Sequence, residues 1–238
     1  MGSDYKLYRG DCLEMIDQLP DRSVDLMLTD PPYNISRENR FWSMNRQSMD
    51  FGVWDHDFDQ TSWIQPMTEK IAKNGAMIIF NRWKNLGLIA DELERCGMDV
   101  KDCIRWEKTN PMPRNRDRRY VADFEFAVWA VKRGGRWTFN RQDPKYQRPE
   151  FIATAPNGKH RFHPTQKPVS LLEELIKIHT NPDDLVFDPF MGSGSTGVAA
   201  LELGRQFVGI EIDEKYYRVA QERIEKIGRI LSVQGKLF

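Results

Sequence analysis

Asp30-Pro31-Pro32-Tyr33 closes the apolar run Val24–Thr29 and sets a carboxylate, a carbonyl held by two rigid rings and an aromatic face within four residues. That set can grip a planar base by its exocyclic amine, with two acceptors for the amine hydrogens and a ring for the base. In an open α/β sheet, ligands bind beyond the carboxyl ends of the strands, where this tetrapeptide would lie. The same residues also read as a proline turn, since proline presets φ and stops a strand. The four residues by themselves leave both readings open.

A second group runs Phe187-Asp188-Pro189-Phe190-Met191-Gly192-Ser193-Gly194-Ser195-Thr196-Gly197, after another apolar run and before a helical pattern. Gly192, Gly194 and Gly197 satisfy G-x-G-x-x-G, and Glu211 follows Gly192 by 19 residues at the end of the next predicted strand. Glycines permit close approach of a ligand to the backbone, and the acid suits ribose hydroxyls. The pattern fits a dinucleotide, but it suits any adenosine-bearing cofactor equally. Just upstream, His163-Pro164-Thr165-Gln166-Lys167-Pro168 reads locally as a helix start, with Pro168 in a first-turn position. Asp11 ends the first predicted strand and could cap the helix that follows.

These groups need a frame. Val24–Thr29, Ala76–Asn81, Leu185–Asp188 and Gln206–Ile212 read as buried strands, with Tyr5–Tyr8 a weaker fifth. Helical periodicity marks Cys12–Leu19, Ser62–Lys73, Lys84–Cys96, Val169–His179, Thr196–Leu203 and Glu214–Ile227. This alternation predicts an α/β fold with a doubly wound, mostly parallel sheet. Val100–Lys108 and Phe124–Lys132 have no helix between them, which predicts an antiparallel pair at the sheet edge. Residues 34–61 form a long polar stretch expected to be a mobile loop, and residues 134–161 an irregular insert. One catalytic domain over residues 1–238 accounts for the length.

Charge is balanced overall but not along the chain. Residues 101–167 carry 16 Lys and Arg against 7 Asp and Glu, the remainder 19 against 28. A basic middle is what contact with a phosphate backbone requires, although a solvated surface would look the same by counting. The stretch Thr109–Tyr120 concentrates Arg114, Arg116, Arg118 and Arg119. No apolar run spans a membrane and no apolar signal core stands at the N-terminus, so a cytoplasmic, reduced protein is expected. Three cysteines without a Cys-x-x-Cys pair, and His160 and His163 without a neighbouring carboxylate or cysteine, predict neither disulfides nor a metal site.

Taken in chain order, Asp-Pro-Pro-Tyr, His-Pro-Thr-Gln-Lys-Pro and Asp-Pro-Phe-x-Gly-x-Gly-x-Thr resemble the S-adenosylmethionine-dependent DNA amino-methyltransferases. The permuted order, catalytic motif before cofactor loop, resembles the β group of adenine-N6 enzymes, and the likeness covers nearly the whole chain. It implies a methyltransferase variant of the Rossmann-like sheet, methyl transfer to a flipped-out adenine in double-stranded DNA, and a restriction-modification or regulatory role. By that resemblance Asp30 and the Pro31 carbonyl accept the amine hydrogens, Pro32 stiffens the turn and Tyr33 stacks on the base. Stacking contributes ~1–3 kcal/mol, comparable to the cost of extracting a base.

The resemblance also assigns the cofactor side. Gly192 and Gly194 admit the cofactor with Ser193 and Thr196 beside them, Phe190 packs against it, and Glu211 takes its ribose. Asp11, next to Cys12, matches the residue for the adenine amine. His163, Pro164 and Thr165 lie along it, Lys167 meets the methionine carboxylate, and Asp188 or Asp30 its ammonium. Arg114, Arg116, Arg118 and Arg119 are the expected DNA-facing arginines. Arg136 and Arg141 join them through a target-recognition insert over residues 134–161, where Trp137, Phe139 and Tyr146 are expected to pack rather than read bases. A homodimer and a cognate restriction endonuclease are the partners the resemblance suggests.

Cytosine-N4 enzymes share the plan but usually carry Ser where Asp30 stands. Cytosine-C5 transfer needs a nucleophilic cysteine, usually after proline, and Cys12, Cys96 and Cys103 follow Asp11, Arg95 and Asp102. A nicotinamide oxidoreductase would explain the glycine loop but leave Asp30–Tyr33 idle.

Overall fold

The computed structural model describes residues 4–34, 57–112 and 117–234. Among the described residues eight strands form one sheet: β1 (Tyr5–Arg9), β2 (Val24–Thr29), β3 (Ile71–Asn81), β4 (Met98–Lys108), β5 (Phe124–Lys132), β6 (Glu150–Ala153), β7 (Leu185–Asp188) and β8 (Gln206–Glu211), in the order β1-β8-β7-β2-β3-β5-β4-β6. β5 alone runs against the rest: it is antiparallel to both β3 and β4, and every other pairing is parallel. The helices are α1 (Cys12–Met15), α2 (Ile64–Lys70), α3 (Leu86–Arg95), α4 (Val169–His179), α5 (Ser195–Glu202) and α6 (Glu214–Gln234).

The central strands are apolar along their length because both faces are covered. Leu26, Leu28, Ile78 and Phe80 pack with α4, α5 and α6, whereas Val24, Met27, Met77 and Ile79 pack with α1, α2 and α3. Val24 and Leu26, two apart, face opposite sides. A register shift lies between them, and Asp25 turns its carboxylate to the Leu185 N–H at 2.9 Å.

The layers change face between β7 and β2. The helix after β7 lies on one side of the sheet and the helix after β2 on the other. That reversal opens a crevice at the carboxyl edge, the place where open α/β sheets bind ligands.

Several elements depart from the sequence-based expectation. The predicted helix over Ser62–Lys73 is shorter, because Ile71 already pairs with Val24 and begins β3. Cys12–Leu19 is one α turn followed by a 3-10 turn at Ile16–Gln18. The antiparallel pair exists, but it is not the rim: β6, inside the stretch expected to be irregular, adds in parallel along β4. Four residues in a polar surround carry too little periodicity to announce a strand. Most of the predicted mobile loop, residues 35–56, lies outside the described residues. Its two ends are tied together, Asn34 Nδ2 donating to the Phe58 carbonyl and the Phe58 N–H returning to Asn34 Oδ1.

Candidate active site

Strand ends supply the polar groups. Asp11 follows β1, Glu211 ends β8, Asp188 ends β7, Asp30 follows β2 and Asn81 ends β3. Because these strands are parallel neighbours, five residues scattered over the chain reach one edge of the sheet. A cavity of about 370 Å³ opens there, lined by Gly10–Leu13, Asp30–Tyr33, Phe58, Trp63, His163, Thr165, Phe190, Gly192, Glu211 and Tyr216 among others.

Both motifs therefore face one space. On the glycine side, Glu211 Oε2 accepts from the Gly192 N–H at 2.9 Å and Oε1 from the Asp213 N–H at 2.8 Å. Burial nevertheless pushes its carboxyl up to about 7, since two amides only partly replace water. Asp11 has two places in this structure. It caps α1 through the Leu13 N–H at 2.7 Å, and it lines the cavity with Cys12. Burial pushes the Cys12 thiol up to about 12, which leaves it a packing residue.

An aromatic wall faces these acids. Phe190 meets Phe58 and Trp63 edge-on, at centroid distances of 5.5 and 5.1 Å. His163 stands edge-on to Tyr216 at 4.2 Å, and its Nδ1 contacts the Thr165 hydroxyl at 3.1 Å. Burial and the Lys167 charge hold this imidazole down at about 4, so it is neutral at pH 7.

The Asp30 side is an ion cluster. Lys167 Nζ lies 2.5 Å from Asp30 Oδ2 and 3.0 Å from Glu125 Oε2, and the Tyr33 hydroxyl donates to Asp30 Oδ1. Burial raises the Asp30 carboxyl, partly offset by Lys167. The Pro-Pro segment is fixed from the side. Gln60 Nε2 donates to the Pro32 carbonyl at 2.9 Å, and Gln60 Oε1 accepts from Asn81 Nδ2 at 2.8 Å.

Several predicted cofactor residues also make contacts within the protein itself. Lys167, 5 % exposed, spends its charge on Asp30 and Glu125 rather than standing open in the cavity. Asp188 is buried at the end of β7, taking the hydroxyls of Thr29 and Thr196, each at 2.7 Å, and the Phe190 N–H at 3.1 Å. Burial pushes it up to about 6. Asp188 and Thr196 thus brace the loop from below. Gly194 has φ +77, and a Cβ there would fall 2.9 Å from the Ala220 Cβ, so its smallness serves the contact with α6. Gly192, with φ +51, meets nothing closer than the His163 ring at 3.9 Å and is the glycine that faces the cavity. Pro164 and Ser193 sit on the backbone side, their carbonyls taken by Arg161 and Arg223.

Of the predicted arginines, Arg114 and Arg116 lie outside the described residues. Arg118 and Arg119 are exposed in the β4–β5 connection, which crosses the carboxyl edge. Arg136 and Arg141 are on the opposite edge. The Arg136 N–H bonds Asn74 Oδ1, and Asn140 bonds the Ile178 and Thr180 carbonyls at the far end of α4. Charge counting along a chain cannot tell the two edges of a sheet apart. Phe139 stacks on Trp129 at 5.5 Å and Trp137 carries the Lys101 ammonium at 4.6 Å, but Tyr146 is 84 % exposed and packs on little.

The sequence model of the N6/N4 DNA methylases matches residues 24–222, most of the chain. The chain belongs to the N6/N4 DNA methylase family. Among curated relatives of this DNA methylase, Type II methyltransferase M.HinfI of Haemophilus influenzae is 30 % identical over 246 residues, 93 % of this chain and 68 % of that one. Type II methyltransferase M2.MboI of Moraxella bovis is 29 % identical over 251 residues, 98 % of this chain and 92 % of that one. Among solved structures, the M1.HpyAVI–SAM complex is 41 % identical with a TM-score of 0.77, covering 92 % of this chain and 98 % of that one. The cytosine-N4-specific PvuII methyltransferase, 19 % identical at a TM-score of 0.72, covers 96 % of this chain and 93 % of that one and shares the fold.

Three residues that brace the candidate site carry no motif: Gln60, Glu125 and Arg223. Arg223, from α6, reaches the Ser193 carbonyl and the Ser193 and Ser195 hydroxyls, closing the glycine loop from behind. A lone arginine in an amphipathic helix looks like a surface residue in sequence. Its pairing is visible only once α6 lies on α5.

Proposed function

We propose that this methylase transfers a methyl group from S-adenosylmethionine to the N6 amine of an adenine turned out of double-stranded DNA. The observation that carries the reading is one cavity with two ends: Asp30 and Pro31 line one, Glu211 and Gly192 the other. The cavity suits the cofactor in kind as well as in size. Its aromatic wall can take a purine, Glu211 and Asp11 can take hydroxyl and amine donors, and Gly192 leaves the backbone approachable. The M1.HpyAVI relative, solved with SAM, supports the same assignment. Bound there, the cofactor supplies a methyl group already activated on a sulfonium.

The protein's own part is then alignment and charge. An adenine amine is a poor nucleophile because its lone pair is spread into the ring. Asp30 and the Pro31 carbonyl would accept its two hydrogens and favour a pyramidal nitrogen, with its lone pair turned toward the methyl group. A carboxylate raised by burial is a better acceptor than a surface one, and it can take the proton the methylated amine must lose. The Tyr33 hydroxyl and Lys167 fix its two oxygens. Arg118, Arg119, Lys159 and Arg161, exposed on segments at the same edge, suit the phosphates flanking an extruded base. The names of the curated relatives support a place in restriction-modification.

Asp30→Ala tests the assignment. Transfer of labelled methyl to DNA should fall at least a thousandfold, while cofactor affinity by calorimetry stays within about an order of magnitude. Parallel loss of both would make Asp30 a cofactor ligand first.

A further inference from the structure

Asp30 reaches the cavity with its charge already shared. Lys167 Nζ, 2.5 Å from Oδ2, cancels the negative charge that an amine gaining positive charge would need. Across the ammonium stands Glu125 on β5, its Oε2 3.0 Å from Nζ and its Oε1 2.5 Å from Lys108 Nζ. Its sequence neighbours Phe124 and Phe126 point to the opposite face of the sheet, and on its own face the pairing partner in β4 is Trp106. A partly buried acid opposite Trp106 is unfavourable unless it answers a charge, and it answers two, Lys108 beside it in β4 and Lys167 across from Asp30.

We infer that Glu125 is a positioning residue for methyl transfer: it shares Lys167 with Asp30, so the ammonium does not settle wholly on the carboxylate beside the reacting amine. The inference rests on the reading of Asp30 as the amine acceptor. With Glu125 the charges of Asp30, Lys167, Glu125 and Lys108 sum to zero; without it they leave one net positive charge, and Lys167 settles wholly on Asp30. The other groups around Asp30 do not replace it. The Tyr33 hydroxyl is a donor, Asp188 lies below the loop bound to two threonines, His163 is neutral, and Lys108 adds a cation beyond Glu125. The shifts agree in direction, because the Glu125 charge raises the Asp30 carboxyl and that of Lys167 lowers it.

The test is Glu125→Gln in the full chain, with kcat, KM for DNA, cofactor Kd and the pH profile of kcat all measured. A fall in kcat of tenfold or more is expected, with KM and Kd within about threefold of the parent. The acid limb of the profile should move to lower pH, because Lys167 now serves Asp30 alone. Glu125→Asp should recover part of the rate. An unchanged kcat, or a reduced kcat with the acid limb unmoved, overturns the role. If Glu125→Gln does not fold, Lys108→Met decides: freeing Glu125 of its second cation should move the acid limb upward, and an unmoved limb refutes the proposal. Asp30→Ala separates the two levels. If it still transfers methyl groups, the site reading itself fails. If it is inactive while Glu125→Gln behaves as the parent, only the role of Glu125 falls.

Discussion

Glu211 shows how one residue can be structural and functional together. Its two oxygens hold the turns at Gly192 and Asp213, and the same carboxylate lines the cavity with lone pairs to spare. Burial pushes it up to about 7, so near neutrality it is partly protonated. The ionised form is the better acceptor for ribose hydroxyls. Cofactor affinity should therefore rise as pH climbs through about 7 and level off above it, and Glu211→Gln should bind about 10–100-fold more weakly, without that rise. Calorimetric titration between pH 6 and 8 checks both. A flat profile in the parent would remove Glu211 from the ribose. Residues of this kind were legible because acid, glycine and strand end recur at readable spacing. Glu125 was not, because it belongs to an antiparallel strand and finds Lys167 only across 42 residues of chain.

At the scale of elements, the β7–α5 turn divides its glycines between two tasks. Gly194 combines a left-handed backbone with a contact against α6, so Gly194→Ala should lower stability by about 1–3 kcal/mol in thermal or urea unfolding. Gly192 has space around it, and its Cβ would point to where the cofactor is proposed to lie. Gly192→Ala should cost less stability and more cofactor affinity. The reverse ranking would show that the turn serves packing throughout. The G-x-G-x-x-G spacing announced the turn without telling these roles apart, because only the placement of α6 does so. The long strands were readable from continuous apolar runs. β6 was not, since its four residues are ordered by pairing with β4 rather than by their own pattern.

For the whole molecule, the sheet separates a chemical edge from a supporting one. The basic middle of the chain wraps both edges: Arg118 and Arg119 on the cavity side, Arg136 and Arg141 on the other. DNA affinity should weaken steeply with salt. Replacing Arg118 and Arg119 together by Ala should reduce the slope of log K against log salt by about 2, and replacing Arg136 and Arg141 should leave it unchanged. Fluorescence anisotropy across a salt series distinguishes the pairs, and an equal effect of both would mean that DNA wraps the far edge as well. The fold class was legible because strand–helix alternation is a property of the chain. Which edge a loop visits is a property of the sheet.

Asp30, which lines this cavity, is proposed to receive an adenine amine. The direct measurement is to incubate the protein with S-adenosylmethionine labelled on its methyl group and with mixed-sequence duplex DNA, digest the DNA to nucleosides and identify the one that carries the label. The expected product is N6-methyladenine, absent with Asp30→Ala; label in N4-methylcytosine, or in no nucleoside despite cofactor binding, would overturn the assignment.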